Sequence, residues 1–225
     1  MQDLLQKGLE TLCKTDNTIK LLLENRIEDV TSLLNKYIKE IELFNTAYGL
    51  VGTNNTEELI IKHILDSITP AGIIAKLTNS QLSGDNKIFK IADAGSGAGL
   101  PGIPLAIVLP QYEFTLIERM GRRAGFLCNT KAVLSLSNIT VEEKDIDKAP
   151  KNYFDLVTFR AFLPLDVKLL KTLFSLCAPG GIIAAYKGRL EKIEAEMAPL
   201  QYKWEAIPCP VPFLDEQRFL LVIKR

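Results

Sequence analysis

Apolar residues recur at helical spacing in the first part of the chain. No proline interrupts the stretch from Leu4 to Phe44, and its apolar residues fall three or four positions apart. This pattern predicts a helical N-terminal segment, followed by a loop over 45–55 that contains two glycines. A second helix is predicted from Thr56, its N-cap residue, to Pro70, and a short third helix over 73–77.

Short apolar runs alternate with helical patterns after residue 87. The predicted strands are 88–92, 113–117, 139–141, 154–159, 181–186, 204–207 and 218–223, and the predicted helices are 103–108, 122–136, 164–176 and 191–197. Such alternation is typical of a parallel sheet that is covered on both faces. Because no helix separates the last two strands, we expect the sheet to end in an antiparallel pair.

A mostly polar stretch divides the chain into two parts. Residues 80–87 contain Gly84 and have the composition of a junction. We therefore predict a helical N-terminal extension over 1–79 and a doubly wound, Rossmann-like α/β domain over 80–225. Its sheet should have seven strands, mostly parallel, with an antiparallel last strand.

Composition and charge narrow the possible partners. The chain has 225 residues, of which 47% are hydrophobic, and its mean hydropathy is +0.11, enough for a full-sized core. Its 27 basic and 27 acidic residues cancel. The protein therefore has no overall field that attracts a polyanion, and any contact with nucleic acid must come from local patches.

The cysteines and the N-terminus indicate the compartment. The four cysteines form no C-x-x-C pair and His63 is the only histidine, so the sequence offers no zinc site and we expect no metal. The N-terminal residues lack the apolar core of a signal peptide, and no apolar run approaches the roughly 18 residues of a membrane span. We expect a cytoplasmic protein with reduced thiols and no membrane partner.

A glycine-rich turn follows the first predicted strand. Gly95, Gly97 and Gly99 alternate with small residues, which allows positive φ angles and close approach of a ligand to the backbone. Leu100 and Pro101 stand where a P-loop needs its lysine and hydroxyl residue, and Leu100 also replaces the third glycine of the dinucleotide pattern. What remains is the acid-x-G-x-G-x-G pattern of doubly wound S-adenosylmethionine-dependent methyltransferases.

Acidic residues follow the first three predicted strands. Asp93 precedes the turn, where a carboxylate repels the pyrophosphate of a dinucleotide but not the ammonium group of a methionine. Glu118 can accept hydrogen bonds from ribose hydroxyls, and Asp145 can face an adenine edge. The alternative for each acid is a helix cap or a solvated loop charge, which for Asp145 is equally plausible.

Three segments together resemble one bacterial family. They are residues 93–104, 63–67 and 154–162, and the first contains the rare run Gly-Leu-Pro-Gly-Ile-Pro-Leu. On these motifs the chain resembles the ribosomal RNA small-subunit methyltransferase G family over nearly its whole length. The resemblance implies a class I fold and S-adenosylmethionine-dependent methylation of N7 of a guanine in 16S ribosomal RNA, with the small ribosomal subunit as partner. We also expect a monomer.

The resemblance also implies site residues. Gly95 and Leu100 match cofactor contacts of the family, Asp145 and Ile146 match a pair beside the adenine, and Arg160 matches an arginine after the fourth strand. Relatives often carry a small residue followed by glutamate at the adenine pair, so this chain departs from the family there. Arg160 can pair with the cofactor carboxylate or a substrate phosphate; we prefer these roles to a salt bridge with a nearby acid.

No catalytic residue is certain from the sequence. Guanine N7 carries a lone pair and no proton, so its methylation requires no general base. Arg160 and His63 are candidates, although a lone histidine among isoleucines is equally often a packing residue; Asp66, one helical turn on, is its expected partner. Phe162 is a candidate for stacking on the target base.

Positive residues near the ligand side of the sheet are candidates for RNA contacts. They are Arg119, Arg122, Arg123, Lys187 and Arg189. The alternative for Arg122 and Arg123 is an ordinary solvated helix start. Rival functions are a methyltransferase acting on another RNA or a small molecule, a nicotinamide oxidoreductase, and a non-catalytic RNA-binding factor.

Overall fold

The computed structural model describes residues 2–79, 88–160 and 164–225. The predicted junction at 80–87 and the stacking candidate Phe162 lie outside the described residues. The division into an extension and a domain at residue 80 therefore stays a prediction.

Seven strands form one sheet in the described part of the chain. They are β1 (Lys90–Ala94), β2 (Glu113–Glu118), β3 (Ile139–Glu143), β4 (Phe154–Arg160), β5 (Cys177–Lys187), β6 (Lys203–Pro208) and β7 (Phe219–Lys224). Their order is β3-β2-β1-β4-β5-β7-β6, in which β7 pairs antiparallel with both β5 and β6 and the other pairs are parallel. The predicted fold class is confirmed, and the order reverses between β1 and β4, which is where open α/β sheets bind ligands.

Helices cover both faces of the sheet. They are α1 (Gln2–Thr15), α2 (Asn17–Leu23), α3 (Ile27–Tyr48), α4 (Thr56–Leu59), α5 (Asp66–Ile68), α6 (Ala71–Asn79), α7 (Gly102–Val108), α8 (Gly121–Val133), α9 (Val167–Leu176) and α10 (Leu190–Met197). One buried cluster joins the N-terminal helices to α7 and α8, and a second joins α9 and α10 to the opposite face. Neighbouring strand residues point to opposite clusters, as in Ile91 and Ala92 of β1.

The N-terminal helical segment is divided into three helices in the structure. Asp16 ends the first helix and caps the second, because its carboxylate accepts the backbone N–H groups of Thr18 at 2.7 Å and Ile19 at 3.3 Å. The third helix continues to Tyr48, into the predicted loop. None of the helices in the described ranges is both long and apolar enough to cross a membrane.

The second predicted helix differs from its pattern at two places. Asn55, and not Thr56, is its N-cap residue, since the Asn55 side chain accepts the backbone N–H of Glu58 at 2.9 Å. Between α4 and α5 the backbone forms a π-helical turn over Ile60–Leu65. Such turns are rare and occur often at functional sites; this one carries His63.

Candidate functional site

Asp93 holds the glycine-rich turn from the inside. The structure extends β1 to Ala94, so Asp93 lies within the strand and is fully buried, whereas the sequence placed it just beyond the strand. Its Oδ2 atom accepts the Ser96 hydroxyl at 2.6 Å and the backbone N–H of Gly102, the first residue of α7, at 3.0 Å. Asp93 thus ties the end of β1 to the start of α7, and its contact with a cofactor stays a prediction.

Glu118 closes the turn from the neighbouring strand. It is the last residue of β2, and its two carboxylate oxygens accept the backbone N–H groups of Gly97 at 2.9 Å and Met120 at 2.8 Å. A carboxylate has about four acceptor positions, so two are left for ribose hydroxyls. A Cβ atom on Gly97 would find only the Gly95 carbonyl oxygen within 4 Å, at 3.9 Å. The open space at Gly97 and the two acceptor positions that remain on Glu118 fit a nucleoside, whose ribose hydroxyls can donate hydrogen bonds to this carboxylate.

Gly99 and Leu100 have a packing role that the motif did not predict. A Cβ atom on Gly99 would lie 2.4 Å from Cδ1 of Ile103, and Leu100 is buried in the core. The N-terminal helices also reach this turn, because the buried hydroxyl of Tyr37 in α3 donates to the backbone carbonyl of Ala98 at 2.7 Å. Only the three-dimensional fold brings these residues, 61 positions apart, together.

Arg160 forms an ion pair, which is the role that the sequence interpretation disfavoured. Its Nη1 atom lies 3.1 Å from Oδ2 of Asp66, and Nε of Arg218 lies 3.4 Å from the other oxygen of that carboxylate. The preference against a salt bridge is therefore wrong, and the sequence missed Arg218 as the third member. The only available signal was that the family resemblance extends over nearly the whole chain, which includes Arg218.

The partner of the His63 ring is Arg160 and not Asp66. Nη2 of Arg160 lies 3.0 Å from Nδ1 of His63, and Nη1 also donates to the backbone carbonyls of Lys62 at 3.3 Å and His63 at 3.4 Å. One arginine at the end of β4 thus clamps the π-helical turn. We call Arg160, Asp66, Arg218 and His63 the arginine cluster.

A cavity of about 1080 Å³ opens at the edge of the sheet that carries the glycine-rich turn. It lies at the carboxyl ends of β4 and β5 and is lined by all four members of the arginine cluster, together with Tyr186 and residues 187–189. β4 pairs with β1, which leads into the turn, so the cavity and the turn occupy neighbouring positions at one edge of the sheet. The residues of the turn do not themselves line this cavity.

The remaining predicted residues lie in different surroundings. Asp145 is exposed and Ile146 half-buried just beyond β3, and Arg119 is exposed beyond β2. Lys187 is paired with Glu196 at 2.6 Å. Arg189 is exposed at the cavity rim.

The two arginines at the start of α8 are held by the end of α3. Arg123 donates to the backbone carbonyl of Gly49 at 3.1 Å, and the guanidinium of Arg122 lies 5.9 Å from the centroid of the Tyr48 ring. These contacts give Arg123 a structural role, so substituting both arginines would also disturb packing. Within the described ranges no cluster of three metal-ligating side chains occurs.

The pKa of His63 predicts a pH dependence of stability. Burial, and then the charge of Arg160, lower this pKa from its ordinary value of 6.5 to about 4. The unfolded chain therefore binds the proton first, so the contribution of neutral His63 is complete above about pH 6.5 and is lost as the pH falls towards 4. We expect the stability difference between wild type and His63→Gln to shrink by about 1–2 kcal/mol from pH 7 to pH 4.5, less than the full shift because the ring is partly exposed.

Urea denaturation across this pH range measures the difference. Burial raises the pKa of Asp93 to about 6. The contribution of Asp93 to stability therefore increases as the pH falls, which is opposite to the contribution of His63. Because Asp93 is present in both proteins, its effect cancels in the comparison with His63→Gln. A difference that stays constant with pH would contradict the prediction.

The strand order, the antiparallel β7 and the glycine-rich turn after β1 define a Rossmann-like methyltransferase fold of class I. Among solved structures, magnesium protoporphyrin IX methyltransferase from Synechocystis PCC 6803, with bound S-adenosylmethionine, is similar with a TM-score of 0.55 at 14% identity. The match covers 84% of this chain and 97% of that chain. This likeness shows the fold alone.

Sequence comparison identifies the family. Residues 30–221 match the family model described as rRNA small subunit methyltransferase G. Curated relatives named ribosomal RNA small subunit methyltransferase G include one from Treponema denticola, 40% identical over 87% of both chains, and one from Cellvibrio japonicus, 35% identical over 88% of this chain and 87% of the relative. The chain belongs to the rRNA small subunit methyltransferase G family.

Proposed function

We propose that the protein transfers a methyl group from S-adenosylmethionine to N7 of a guanine in 16S ribosomal RNA of the small subunit, in the cytoplasm. One observation carries the proposal. In a chain of this family, a glycine-rich turn that fits a nucleoside lies at the same edge of the sheet as a cavity whose charged lining residues are mostly basic. The two places correspond to a methyl donor and a polyanionic acceptor.

The charge of the cavity supports an RNA substrate. Although the whole chain has no net charge, six basic and three acidic residues are found among the described residues that line the cavity. The basic ones are Lys62, Arg160, Lys187, Arg189, Lys192 and Arg218, and the acidic ones are Asp66, Glu196 and Glu216. Among the described residues, Arg189 and Lys192 form no ion pair, and both are exposed. These two are the residues best placed to contact phosphates.

The cofactor would be held by the turn. Gly97 leaves room for it, Glu118 accepts hydrogen bonds from its ribose hydroxyls, and Asp93 and Tyr37 fix the backbone that faces it. When bound, S-adenosylmethionine supplies a methyl group on a positively charged sulfur. We also propose that Leu100, Asp145 and Ile146 contact S-adenosylmethionine directly.

In this proposal the protein orients the target guanine for methyl transfer and provides no general base. Guanine N7 attacks through its own lone pair and loses no proton, so the described cavity residues need only orient the base. Alignment of reacting atoms can lower a barrier by roughly 7–11 kcal/mol in favourable cases. The neutral ring of His63 and the compensated charge of Arg160 are suited to this orienting role, because neither adds an unpaired charge beside a base that becomes positive.

Transfer of labelled methyl from S-adenosylmethionine tests the proposal. Small subunits and naked 16S RNA, both lacking the modification, are incubated with the protein, and the labelled base is then mapped. We expect label on N7 of one guanine in at least one of the two substrates. Cofactor binding without label in either substrate would overturn the proposal and favour a small-molecule methyltransferase or a non-catalytic RNA-binding factor.

A further inference from the structure

The tautomer of His63 is determined by its contact with Arg160. The two groups are 3.0 Å apart through Nη2 of the arginine and Nδ1 of the histidine. A guanidinium group only donates hydrogen bonds, so Nδ1 must be the acceptor and carry no proton. In a neutral ring the proton therefore resides on Nε2, which becomes a fixed hydrogen-bond donor.

This donor is available at the cavity. His63 lines the cavity and is half-buried, and its Nε2 atom has no hydrogen-bond partner within the described ranges. The Arg160 clamp on the backbone carbonyls of the π-helical turn fixes the position of the ring. Asp66 in turn fixes Arg160 at 3.1 Å. The site therefore presents one oriented N–H group of a neutral side chain.

We propose that His63 selects guanine by donating a hydrogen bond from Nε2 to O6 of the target base. This inference rests on the proposed function and extends it to the residue that distinguishes the base. Guanine presents two acceptors, N7 and O6, on one edge, whereas adenine presents a donor amino group at the position of O6. A donor at O6 leaves the N7 lone pair free for the methyl group and opposes adenine, whose amino group would face another donor.

The geometry also favours a neutral donor over a charged one. Methylation at N7 gives the base a positive charge, which an imidazolium at O6 would oppose. Burial and the positive charge of Arg160 lower the pKa of His63 to about 4, so the ring is neutral at the pH of the cell. The charged groups that influence the ring are Arg160, Glu58, Lys62 and Arg218.

Two variants at His63 separate a recognition role from a structural one. His63→Phe keeps a flat ring and removes the donor, and His63→Gln retains an N–H donor. We expect kcat/KM for methyl transfer to small subunits to fall about 10- to 100-fold in His63→Phe and to recover partly in His63→Gln. The dissociation constant of S-adenosylmethionine, measured by calorimetry, should change less than threefold in both, because the ring faces the acceptor.

The decisive experiment changes the base as well as the protein. Small subunits are reconstituted with RNA that carries either guanine or 2-aminopurine, which keeps N7 and lacks O6, at the position mapped by methyl labelling. We expect wild type to be about 10- to 100-fold slower on 2-aminopurine and His63→Phe to be equally slow on both bases. Thermal unfolding of each variant verifies that it is folded at the assay temperature.

The outcomes distinguish this inference from the proposed function. If wild type methylates guanine but His63→Phe loses the same factor on both bases, or wild type does not distinguish the bases, His63 does not read O6 and the inference fails alone. If His63→Phe fails to fold, His63→Ala, which also removes the donor, gives the same comparison: discrimination between the two bases as strong as in wild type would overturn the inference. Absence of label from wild type on both substrates would overturn the proposed function and the inference with it.

Discussion

Gly102→Ala is expected to lower the free energy of unfolding by about 3–5 kcal/mol and to abolish measurable binding of S-adenosylmethionine. A Cβ atom at this position would lie 2.3 Å from Cδ2 of Leu116 and 2.7 Å from Oδ2 of Asp93. It would also lie 3.1 Å from the Cβ atom of Asp93, which cannot move without moving β1. Overpacking costs about 1–3 kcal/mol, and loss of a buried hydrogen bond to a charged group costs a similar amount.

The loss of cofactor binding follows from the same contact. The backbone N–H of Gly102 donates to Asp93, whose other contact is the Ser96 hydroxyl within the turn. If Asp93 is displaced, the turn loses the residue that joins it to α7. Urea denaturation measures the stability, and calorimetry measures the cofactor affinity.

Gly125→Ala is the matched control. Gly125 is exposed in α8, and a Cβ atom there would meet nothing within 4 Å. We expect this variant to gain about 0.5–1 kcal/mol of stability, because alanine is the better helix former. A Gly102→Ala protein as stable as wild type would show that the turn can rearrange around a methyl group.

The sheet could be predicted from the sequence because its signal is local. Buried parallel strands are short apolar runs, and each predicted strand overlaps an observed one. The first strand was predicted over 88–92 and is Lys90–Ala94 in the structure. This shift of two residues moved Asp93 from the end of the strand into its buried interior.

Breaks within helices were harder to predict because a periodic pattern continues through them. Asp16 divides the N-terminal segment through its side-chain hydrogen bonds, while apolar residues recur on both sides of it. The π-helical turn of Ile60–Leu65 likewise leaves the spacing of isoleucines nearly unchanged. Asn and Thr are both favoured N-cap residues, so residue type alone does not decide between Asn55 and Thr56. The choice depends on which side chain accepts a backbone N–H of the first turn, and in the structure this is Asn55.

The candidate site could be predicted only where its residues follow strands. The glycine-rich turn and Glu118 were found because the carboxyl ends of parallel strands meet at one edge of a sheet. The contact between Arg160 and Asp66 joins residues 94 positions apart, so no local pattern in the sequence predicts it. For the same reason the sequence suggested Asp66, a near neighbour, as the partner of His63.

Asp66→Ala is expected to lower the free energy of unfolding by about 3–5 kcal/mol. The Asp66 side chain is 7% exposed and is the acid between Arg160, which is 14% exposed, and Arg218, which is 21% exposed. Burial raises the pKa of Asp66 above its ordinary value, more than the two arginines lower it. The carboxylate therefore gains little from its own burial, but removing it leaves two poorly solvated positive charges without their shared counter-ion.

The surface pair of Asp3 and Lys7 provides the control. Its side chains are 75% and 61% exposed at a separation of 2.7 Å, and removal of such a pair changes stability by no more than about 0.5 kcal/mol. We therefore expect Asp3→Ala to unfold in urea as wild type does, and Asp66→Asn, which keeps an acceptor oxygen, to lose less than Asp66→Ala.

The same variant should slow methyl transfer more than tenfold under conditions in which it stays folded. Without Asp66, the guanidinium of Arg160 loses its 3.1 Å anchor, and the contact that fixes the tautomer of His63 loses its support. Arg218→Lys tests whether activity depends on the anchoring of Arg160 by Asp66, because it keeps a positive charge beside Asp66 and leaves Arg160 and His63 unchanged. Equal loss of activity in Arg218→Lys and Asp66→Ala would show that the guanidinium contact of Arg218 with Asp66, and not the position of Arg160, controls the reaction.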